Sequence, residues 1–274
     1  MNSPSRTLVL CADDYAQDAL IDDAVLHLAR AGRLSATSCM TTSPRWREAV
    51  AQLLPLRPAL QLGLHFNLTE SHGGHYPAHS LHQVLARAYT GRLGAAQMRP
   101  LWRAQLDAFE DAVGSAPDFI DGHQHVHQLP GVRHALLAEL QARYRADQMP
   151  WLRSTVPAGS LWRDTKAAVI ALLGGRAATR QWRRAGLQTN HGFAGVYGFD
   201  APTLSAYAVH MRAWLAQLQD GGLLMCHPAT APVLQDAIGI QRPVEYAYLM
   251  SDAFGALLEL GGWRIGALSR TVQS

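Results

Sequence analysis

The chain has 274 residues, of which 48% are hydrophobic and 16% are charged. This composition is too apolar for a disordered chain and is sufficient to form the core of one large domain. The formal net charge of +3 is too small to indicate a nucleic-acid partner, and no motif that reads RNA or DNA is present.

Apolar strand-like runs and helical segments alternate along the chain. In chain order, the strands are predicted at residues 7–12, 35–41, 60–66, 119–121, 151–153, 223–226 and 263–268. The helices are predicted at residues 18–31, 44–54, 80–89, 99–113, 130–145, 161–173, 177–185, 201–219 and 246–260. Strand–helix alternation indicates an α/β fold with a mainly parallel sheet. We therefore predict an irregular (β/α) barrel that forms a single domain over residues 1–274.

The segment before Thr7 is short and polar, and it lacks the apolar core of a signal peptide. No apolar run is long enough to span a bilayer, so the expected location is the cytoplasm. The three cysteines, Cys11, Cys39 and Cys226, lie in apolar strand-like segments. We expect buried thiols, because their number and spacing fit neither a disulfide framework nor a zinc site.

Polar residues follow directly where five of the apolar strand runs end. These residues are Asp13 and Asp14, His65, His123, Arg153 and His227. The carboxyl ends of parallel strands meet at one rim, where α/β proteins build their active sites. Two carboxylates and several histidines at this rim indicate a metal-dependent hydrolase.

The adjacent carboxylates Asp13 and Asp14 are the first chemical feature. On an extended backbone they point in different directions, so one could bind a cation while the other acts as a base. The alternative is that one of them caps the helix that begins near Asp18.

At the opposite end of the chain, Pro228 holds His227 in an extended conformation at the rim. There, His227 could protonate a leaving group, although a satisfied buried histidine is the equal alternative.

The densest histidine cluster is the sequence DGHQHVH at residues 121–127. In an extended segment, His123, His125 and His127 would share one face, and imidazole is a common metal ligand. His123 is the first candidate because it lies nearest the end of the strand. His125 and His127 could support the ligands or contact substrate. Arg153 could orient a carboxylate or the substrate, and a plain salt bridge is equally compatible with the sequence.

Residues 161–186 form a strongly basic segment that also carries large apolar residues, including Trp162, Val169 and Trp182. Such a segment could lie on an anionic membrane surface or meet a lipid-linked substrate. A solvated helical face is the favoured interpretation. The sequence has no transmembrane segment and no signature of an oligomeric state.

Four motifs together resemble those of the YdjC-like carbohydrate deacetylases, a family that includes chitooligosaccharide and hopanoid-biosynthesis deacetylases. They are ADDY at residues 12–15, GLHFNLT at 63–69, GHQHVH at 122–127 and CHP at 226–228. The resemblance implies a barrel of the polysaccharide-deacetylase type and removal of acetyl from an N-acetylated amino sugar.

The same resemblance implies roles for individual residues. Asp13 would be the general base, and His227 would be the acid. Asp14, His65 and His123 would hold one divalent metal ion, for which Mg²⁺ and Zn²⁺ are both candidates. Where the family usually has Phe-Gly after the aspartate pair, this chain has Tyr15 and Ala16. Tyr15 would add a hydroxyl near the metal, and Asn67 is a further candidate for contact with substrate.

These motifs indicate a small acetylated carbohydrate as the substrate. They do not distinguish an oligosaccharide from a glycolipid headgroup. A phosphoesterase is an alternative, although few Lys or Arg residues lie beside the motifs. Two histidines and a carboxylate also describe a non-haem iron site, but such sites are common in antiparallel folds. A non-catalytic sugar-binding module would leave the complete set of candidate acid, base and ligands unexplained.

Overall fold

A parallel sheet centred on the first strand organises the chain. The computed structural model describes residues 5–76, 78–159 and 165–268. Its strands are β1 (Arg6–Tyr15), β2 (Ala36–Cys39), β3 (Gln61–Phe66), β4 (Phe119–Gly122), β5 (Trp151–Leu152), β6 (Phe193–Ala194), β7 (Gly222–Cys226) and β8 (Trp263–Ile265). Their order across the sheet is β5-β4-β3-β2-β1-β7-β6, and β8 pairs with the beginning of β1. All of these pairings are parallel, as the alternating sequence pattern predicts.

The sheet curls so that its two edges approach each other. Isolated parallel bridges join Leu152 to Thr189 and Pro157 to Phe193, which links the region after β5 to the region of β6. Because the edge strands β5 and β6 have only two residues each, this side of the barrel is irregular. The prediction of an irregular (β/α) barrel is therefore confirmed.

Helices cover the outside of the sheet. They are α1 (Ala19–Arg30), α2 (Trp46–Leu53), α3 (Leu81–Tyr89), α4 (Ala95–Val113), α5 (Val132–Arg143), α6 (Thr165–Ile170), α7 (Arg176–Arg184), α8 (Leu204–Gln217), α9 (Arg242–Met250) and α10 (Asp252–Leu260). Helix α1 illustrates their amphipathic pattern, since Ile21, Val25 and Leu28 are buried on one face. Its N-cap is Asp18, whose side chain accepts a hydrogen bond from the backbone N–H of Leu20.

Several predicted boundaries are wrong. Strand β6 lies where the sequence indicated only a loop, because a two-residue strand is too short for a periodic pattern. The predicted helix at 246–260 is two helices, since Ser251 ends α9 and caps α10. Between α6 and α7, residues 171–175 form a π-helical turn. Residues 161–164 of the predicted basic helix lie outside the described residues.

Strand residues supply two apolar clusters on opposite faces of the sheet. Leu8 and Leu10 face the helices, whereas Val9 and Cys11 belong to the cluster inside the curl. The three cysteines are buried free thiols, as predicted. Among the described residues, no helix is long and apolar enough to cross a membrane.

The inner cluster leaves no room for a side chain at one position of β3. Phe119 and Trp151 stack with ring centroids 4.5 Å apart, and Gly63 lies against the Phe119 ring. A Cβ atom at Gly63 would approach the Phe119 ring to 2.3 Å, which is well inside van der Waals contact. The aromatic pair therefore depends on glycine at this point.

We expect Gly63→Ala to lower the free energy of unfolding by about 1–3 kcal/mol, because the added methyl overpacks a rigid core. Urea denaturation followed by circular dichroism measures this change. The matched control is Gly94→Ala, where a new Cβ meets no atom within 4 Å and the φ angle is negative. An equal effect at both positions would contradict the proposed steric cause.

Candidate active site

A cavity of about 640 Å³ lies at the carboxyl ends of the strands. Its lining includes five residues predicted from the strand ends: Asp13, Asp14, His65, His123 and His227. Parallel pairing brings the carboxyl ends of β1, β3, β4 and β7 to this rim. Arg153 is fully buried and lies next to the cavity, where it contacts Asp13.

The two adjacent carboxylates reach the same cavity because the strand backbone is irregular at this point. The register between β1 and β2 shifts between Ala12 and Tyr15, and Asp14 has a φ angle of 70°. The simple alternation expected of an extended strand is therefore wrong here. The alternative role of either carboxylate as the N-cap of α1 is not observed, since Asp18 fills that position.

Asp14, His65 and His123 form a group that fits a divalent metal ion. Asp14 Oδ1 lies 3.3 Å from His65 Nε2 and 3.0 Å from His123 Nδ1. Each residue offers one ligand atom, and these atoms lie within 4.8 Å of one another. Two ligands held at about 2.0–2.1 Å by a tetrahedral ion would themselves be about 3.3 Å apart. One carboxylate and two imidazoles thus have both the spacing and the donor chemistry for such an ion.

Asp121 orients the His65 ring from the side away from Asp14. His65 Nδ1 lies 2.7 Å from Asp121 Oδ1 and 2.9 Å from Ser38 Oγ, which leaves Nε2 directed at Asp14. This is the arrangement in which a carboxylate fixes the orientation of a metal-binding imidazole. Burial opposes protonation of His65, but Asp121 and Asp13 raise its pKa to about 10. The surrounding negative charge therefore favours a cation at this point.

Arg153 connects the two carboxylates Asp13 and Asp121. Its Nη1 donates to Asp13 Oδ2 at 2.6 Å, and its Nη2 donates to Asp13 Oδ1 at 2.6 Å. The same Nη2 lies 2.5 Å from Asp121 Oδ2 and 3.1 Å from the sulfur of Cys11. A second cluster of possible ligands, Cys11, Asp13 and Asp121, thus already has a guanidinium bound to both of its carboxylates. Although burial opposes ionisation, Arg153 lowers the pKa of Asp121 below its usual value.

The three histidines after β4 diverge, so the predicted shared face is wrong. Gln124 and His125 have φ angles of 50° and 60°, which turns the chain into a tight helical segment at the strand end. His123 reaches Asp14, and His125 lines the cavity in edge-to-face contact with Phe193. Burial lowers the pKa of His125 well below its usual value.

His127 points away from the cavity and supports Arg153. Its Nε2 donates to the backbone carbonyl of Arg153 at 3.0 Å, and its ring stacks on Trp182. Burial lowers the pKa of His127 to about 4, so the ring is neutral at physiological pH. The residue therefore holds the backbone from which the Arg153 side chain extends.

His227 directly follows β7 and lines the cavity. Its backbone N–H donates to Glu245 Oε2 at 2.7 Å, and its ring lies edge-on to Phe199. Glu245 is buried and also accepts a hydrogen bond from the Tyr197 hydroxyl at 2.5 Å. Within the described part of the chain, His227 Nδ1 has no hydrogen-bond partner. The Nδ1 atom of this ring is therefore not engaged by a neighbouring side chain.

Tyr15 and Asn67, like Arg153 and His127, do not line the cavity. The Tyr15 hydroxyl donates to the carbonyl of Ala49 at 2.7 Å and the ring is part of the core, so its expected position near the metal is wrong. The shift in register and the turn at Asp14 direct this side chain toward α2. Asn67 is buried, and its Oδ1 accepts from the backbone N–H groups of Thr69 and Glu70. It therefore shapes the turn that brings Glu70 to the cavity.

Arg242 is a site residue that the sequence interpretation missed. Its Nη2 donates to Asp14 Oδ2 at 2.6 Å, and its Nε donates to Asp236. Burial opposes ionisation of Asp14, but Arg242 and His123 lower the pKa of this carboxyl well below its usual value. Arg242 lies far along the chain, after a loop without a recognisable motif. Asp121 also received no role, although its position directly before the histidine cluster was a usable signal.

The basic segment contributes to the cavity only near its beginning. Lys166, Val169 and Ile170 line the cavity, whereas Arg176, Arg180 and Arg183 line a separate shallow depression. Trp162, Arg163 and Asp164 lie outside the described residues. For this segment a solvated helical face stays the favoured prediction, with membrane contact as its alternative.

Known proteins resemble this chain over most of its length. The model of the YdjC-like protein family matches residues 7–260. A carbohydrate deacetylase of Homo sapiens is 29% identical over 258 residues, which cover 83% of this chain and 76% of that protein. A chitooligosaccharide deacetylase of Yersinia enterocolitica is 24% identical and covers 96% of this chain and 98% of its own length.

The fold has a similar counterpart among solved structures. A crystal structure of a putative cellobiose-phosphate cleavage protein from Enterococcus faecalis aligns with a TM-score of 0.71 and 18% identity. The alignment covers 96% of this chain and 98% of that one. At this identity the likeness establishes the fold alone, while the family match spans nearly the whole chain. The chain therefore belongs to the YdjC-like family.

Proposed function

We propose that the protein is a metal-dependent hydrolase that removes the acetyl group from an N-acetylated amino sugar. The observation that carries this proposal is the arrangement of one cavity. It combines a possible metal group of one carboxylate and two imidazoles with a separate carboxylate, Asp13, and a histidine, His227. The names of the human and Yersinia relatives support an acetylated carbohydrate as the substrate class.

Asp14, His65 and His123 would hold the ion, which we propose to be Zn²⁺ or Mg²⁺. When bound, a divalent ion at this group supplies polarisation of the acetyl carbonyl and acidification of water. Asp121 keeps His65 Nε2 directed at the site, and Arg242 engages Asp14 Oδ2, which leaves Oδ1 facing the two imidazoles. The chain thus fixes both the number and the direction of its donor atoms.

Asp13 would accept the proton from water as the water oxygen attacks the acetyl carbon. Arg153 donates a hydrogen bond to each oxygen of this carboxylate and so fixes its position at the cavity. His227 would then donate a proton to the amine nitrogen as the C–N bond breaks. The C–N bond breaks to give acetic acid, which loses its proton to solvent as acetate, and the free amino sugar. Asp13 then releases its proton to solvent and His227 takes one up, so the atoms and the protons balance. The positions of Asp13 and His227 in one cavity support this division of roles.

The charges of the cavity argue against phosphoester hydrolysis. Among the described residues that line it, Lys166 and Arg242 are the Lys and Arg side chains. Arg242 is already paired with Asp14 and Asp236. Little positive charge thus remains to bind a dianionic phosphate group.

We expect acetate release from at least one member of a panel of N-acetyl sugars, including N-acetylglucosamine, N-acetylgalactosamine and chitin disaccharide. Removal of metal with a chelator should abolish this activity, and adding back Zn²⁺, Co²⁺, Ni²⁺ or Mg²⁺ singly should restore it. Release of acetate is measured by an enzyme-coupled assay. Full activity after exhaustive chelation, with metal content verified by mass spectrometry, would contradict metal dependence.

Asp13→Asn is expected to lower kcat by about a hundredfold or more, because the amide cannot accept the proton from water. The substitution keeps the shape of the side chain, so bound metal measured by mass spectrometry should be unchanged. A thermal melt provides the control for folding. Near-normal turnover in this variant would show that another group is the base.

Asp121→Asn is expected to weaken metal affinity about 10- to 100-fold, because His65 loses the carboxylate that orients its ring. Competition with a chromogenic chelator measures this affinity. The matched control is Asp118→Asn, which changes a carboxylate just before β4 that pairs with Arg57. If both variants weaken metal binding equally, general destabilisation is the cause.

A further inference from the structure

We infer that Glu245 is a positioning residue that holds His227 where it donates its proton, and that the first turn of α9 sets the separation between this histidine and Asp14. The inference rests on the proposed function, since it concerns the placement of the proposed acid. Its basis is that Arg242 and Glu245 lie three positions apart on one helical turn. Each of them binds a different part of the candidate active site.

His227 lies beyond the hydrogen-bonded part of the sheet. The pairing of β7 with β6 ends at Leu224, and its pairing with β1 ends at Cys226. The chain then runs through the irregular segment 227–241 before α9 begins. A backbone N–H at such a point needs an acceptor outside the sheet, and a functional side chain on a loop needs support from a rigid element.

Glu245 supplies this support through its carboxylate. Its Oε2 accepts the backbone N–H of His227 at 2.7 Å, and its Oε1 accepts the hydroxyl of Tyr197 at 2.5 Å. Tyr197 lines the same cavity as His227. Burial and the Glu245 carboxylate raise the pKa of Tyr197 above its usual value, so the hydroxyl keeps the proton that it donates. One carboxylate therefore fixes two residues of the cavity wall.

These two hydrogen bonds are the ones that compensate for burial of Glu245. The residue is 1% exposed, and within residues 5–76, 78–159 and 165–268 no cation forms an ion pair with it. Burial of a carboxylate opposes folding unless strong hydrogen bonds offset the lost hydration. Hydrogen bonds to a charged acceptor are shorter and stronger than those between neutral groups. The contact between Glu245 and His227 is therefore a firm one.

The same turn of α9 also binds the metal side of the cavity. Arg242 Nη2 donates to Asp14 Oδ2 at 2.6 Å, and the backbone carbonyl of Arg242 accepts the N–H of Ala229, two residues after His227. Asp14 and His227 are thus connected to each other through Arg242 and Glu245. Because a helical turn is more rigid than a loop, α9 fixes the distance between the proposed acid and the possible metal ligand.

The residue that precedes α9 fixes the packing partner of the His227 ring. Gln241 Oε1 accepts the N–H of Ala201 at 3.0 Å, and Gln241 Nε2 donates to the carbonyl of Ala201 at 2.8 Å. Phe199, two residues earlier, lies edge-on to the His227 ring with centroids 5.3 Å apart. The beginning of α9 therefore anchors both the backbone of His227 and the aromatic ring beside it.

The test measures kcat, KM and metal affinity of Glu245→Ala and Glu245→Gln on the N-acetyl sugar that the panel identifies. Misplacement of a reacting group by about 1 Å lowers a rate about a hundredfold, which is the loss of kcat that we expect in Glu245→Ala. KM and metal affinity should change by less than about threefold, since the acid acts only in the transition state. Glu245→Gln keeps an oxygen that can accept the N–H of His227, so its loss should be only about tenfold.

A double-mutant cycle with His227→Ala separates positioning from general damage. Because Glu245 acts through His227, Glu245→Ala should lower kcat by less than about twofold when His227 is already alanine. The same cycle with Glu245→Gln covers the case in which the alanine variant does not fold. Equal losses of kcat in the presence and absence of His227 would overturn the inference.

Glu139→Ala is the matched control. Glu139 is a buried carboxylate, 3% exposed, that pairs with Arg99 and Arg103 between α4 and α5. Its replacement should lower the melting temperature and leave kcat unchanged. A loss of kcat in Glu139→Ala as large as that in Glu245→Ala would overturn the inference in favour of general destabilisation.

Crystal structures of the metal-loaded wild type and of metal-loaded Glu245→Ala report the position of His227 independently of turnover. We expect the His227 ring to move by about 1 Å relative to Asp13, the displacement that accounts for the expected loss of rate. Asp14, His65 and His123 should superimpose in the two structures. An unmoved His227 ring would overturn the inference.

The two proposals fail in different ways. A displaced His227 in Glu245→Ala, together with no acetate release by the wild type from any N-acetyl sugar, would sustain the support of His227 by Glu245 and overturn the proposed reaction. Acetate release by the wild type with an unchanged kcat in Glu245→Ala would sustain the reaction and overturn the positioning role.

Discussion

The buried guanidinium of Arg153 is the interaction on which the site depends. It donates two hydrogen bonds to Asp13 and also contacts Asp121. Because Arg153 directly follows β5, these contacts link the end of β5 to the ends of β1 and β4. Burying such charges is costly unless each is paired, and loss of one partner leaves an uncompensated charge. The placement of the candidate base and the orientation of His65 through Asp121 are therefore consequences of one buried cation.

The balance of buried charge explains why a metal ion suits this place. Asp13, Asp14 and Asp121 are buried beside two buried guanidinium groups, Arg153 and Arg242. The remaining negative charge raises the pKa of His65 to about 10 against the effect of burial. A divalent ion would be attracted by the same negative charge and would displace the proton from His65, since metal binding and ligand deprotonation are linked. The fold thus neutralises part of this charge with two guanidinium groups, and the remaining negative charge surrounds His65.

Arg242 couples the reacting end of the cavity to its mouth. It binds Asp14 on one side and Asp236 on the other, and Asp236 also fixes the loop that carries Ile238 and Ile240. The loop after β7 therefore helps to fix the position of the possible metal ligand Asp14.

The parallel sheet and the residues that meet at its rim could be predicted from local patterns in the amino-acid sequence. Apolar runs that end in Asp13, His65, His123 and His227 were sufficient, because parallel strands bring their carboxyl ends together. The directions in which these side chains point could not be predicted in this way, because they depend on contacts between distant segments. The bulge at Asp14, the left-handed turn at His125 and the ion pair between Asp14 and Arg242, 228 positions apart, break local periodicity. Such features arise from packing between distant segments, which a local pattern of polar and apolar residues does not encode.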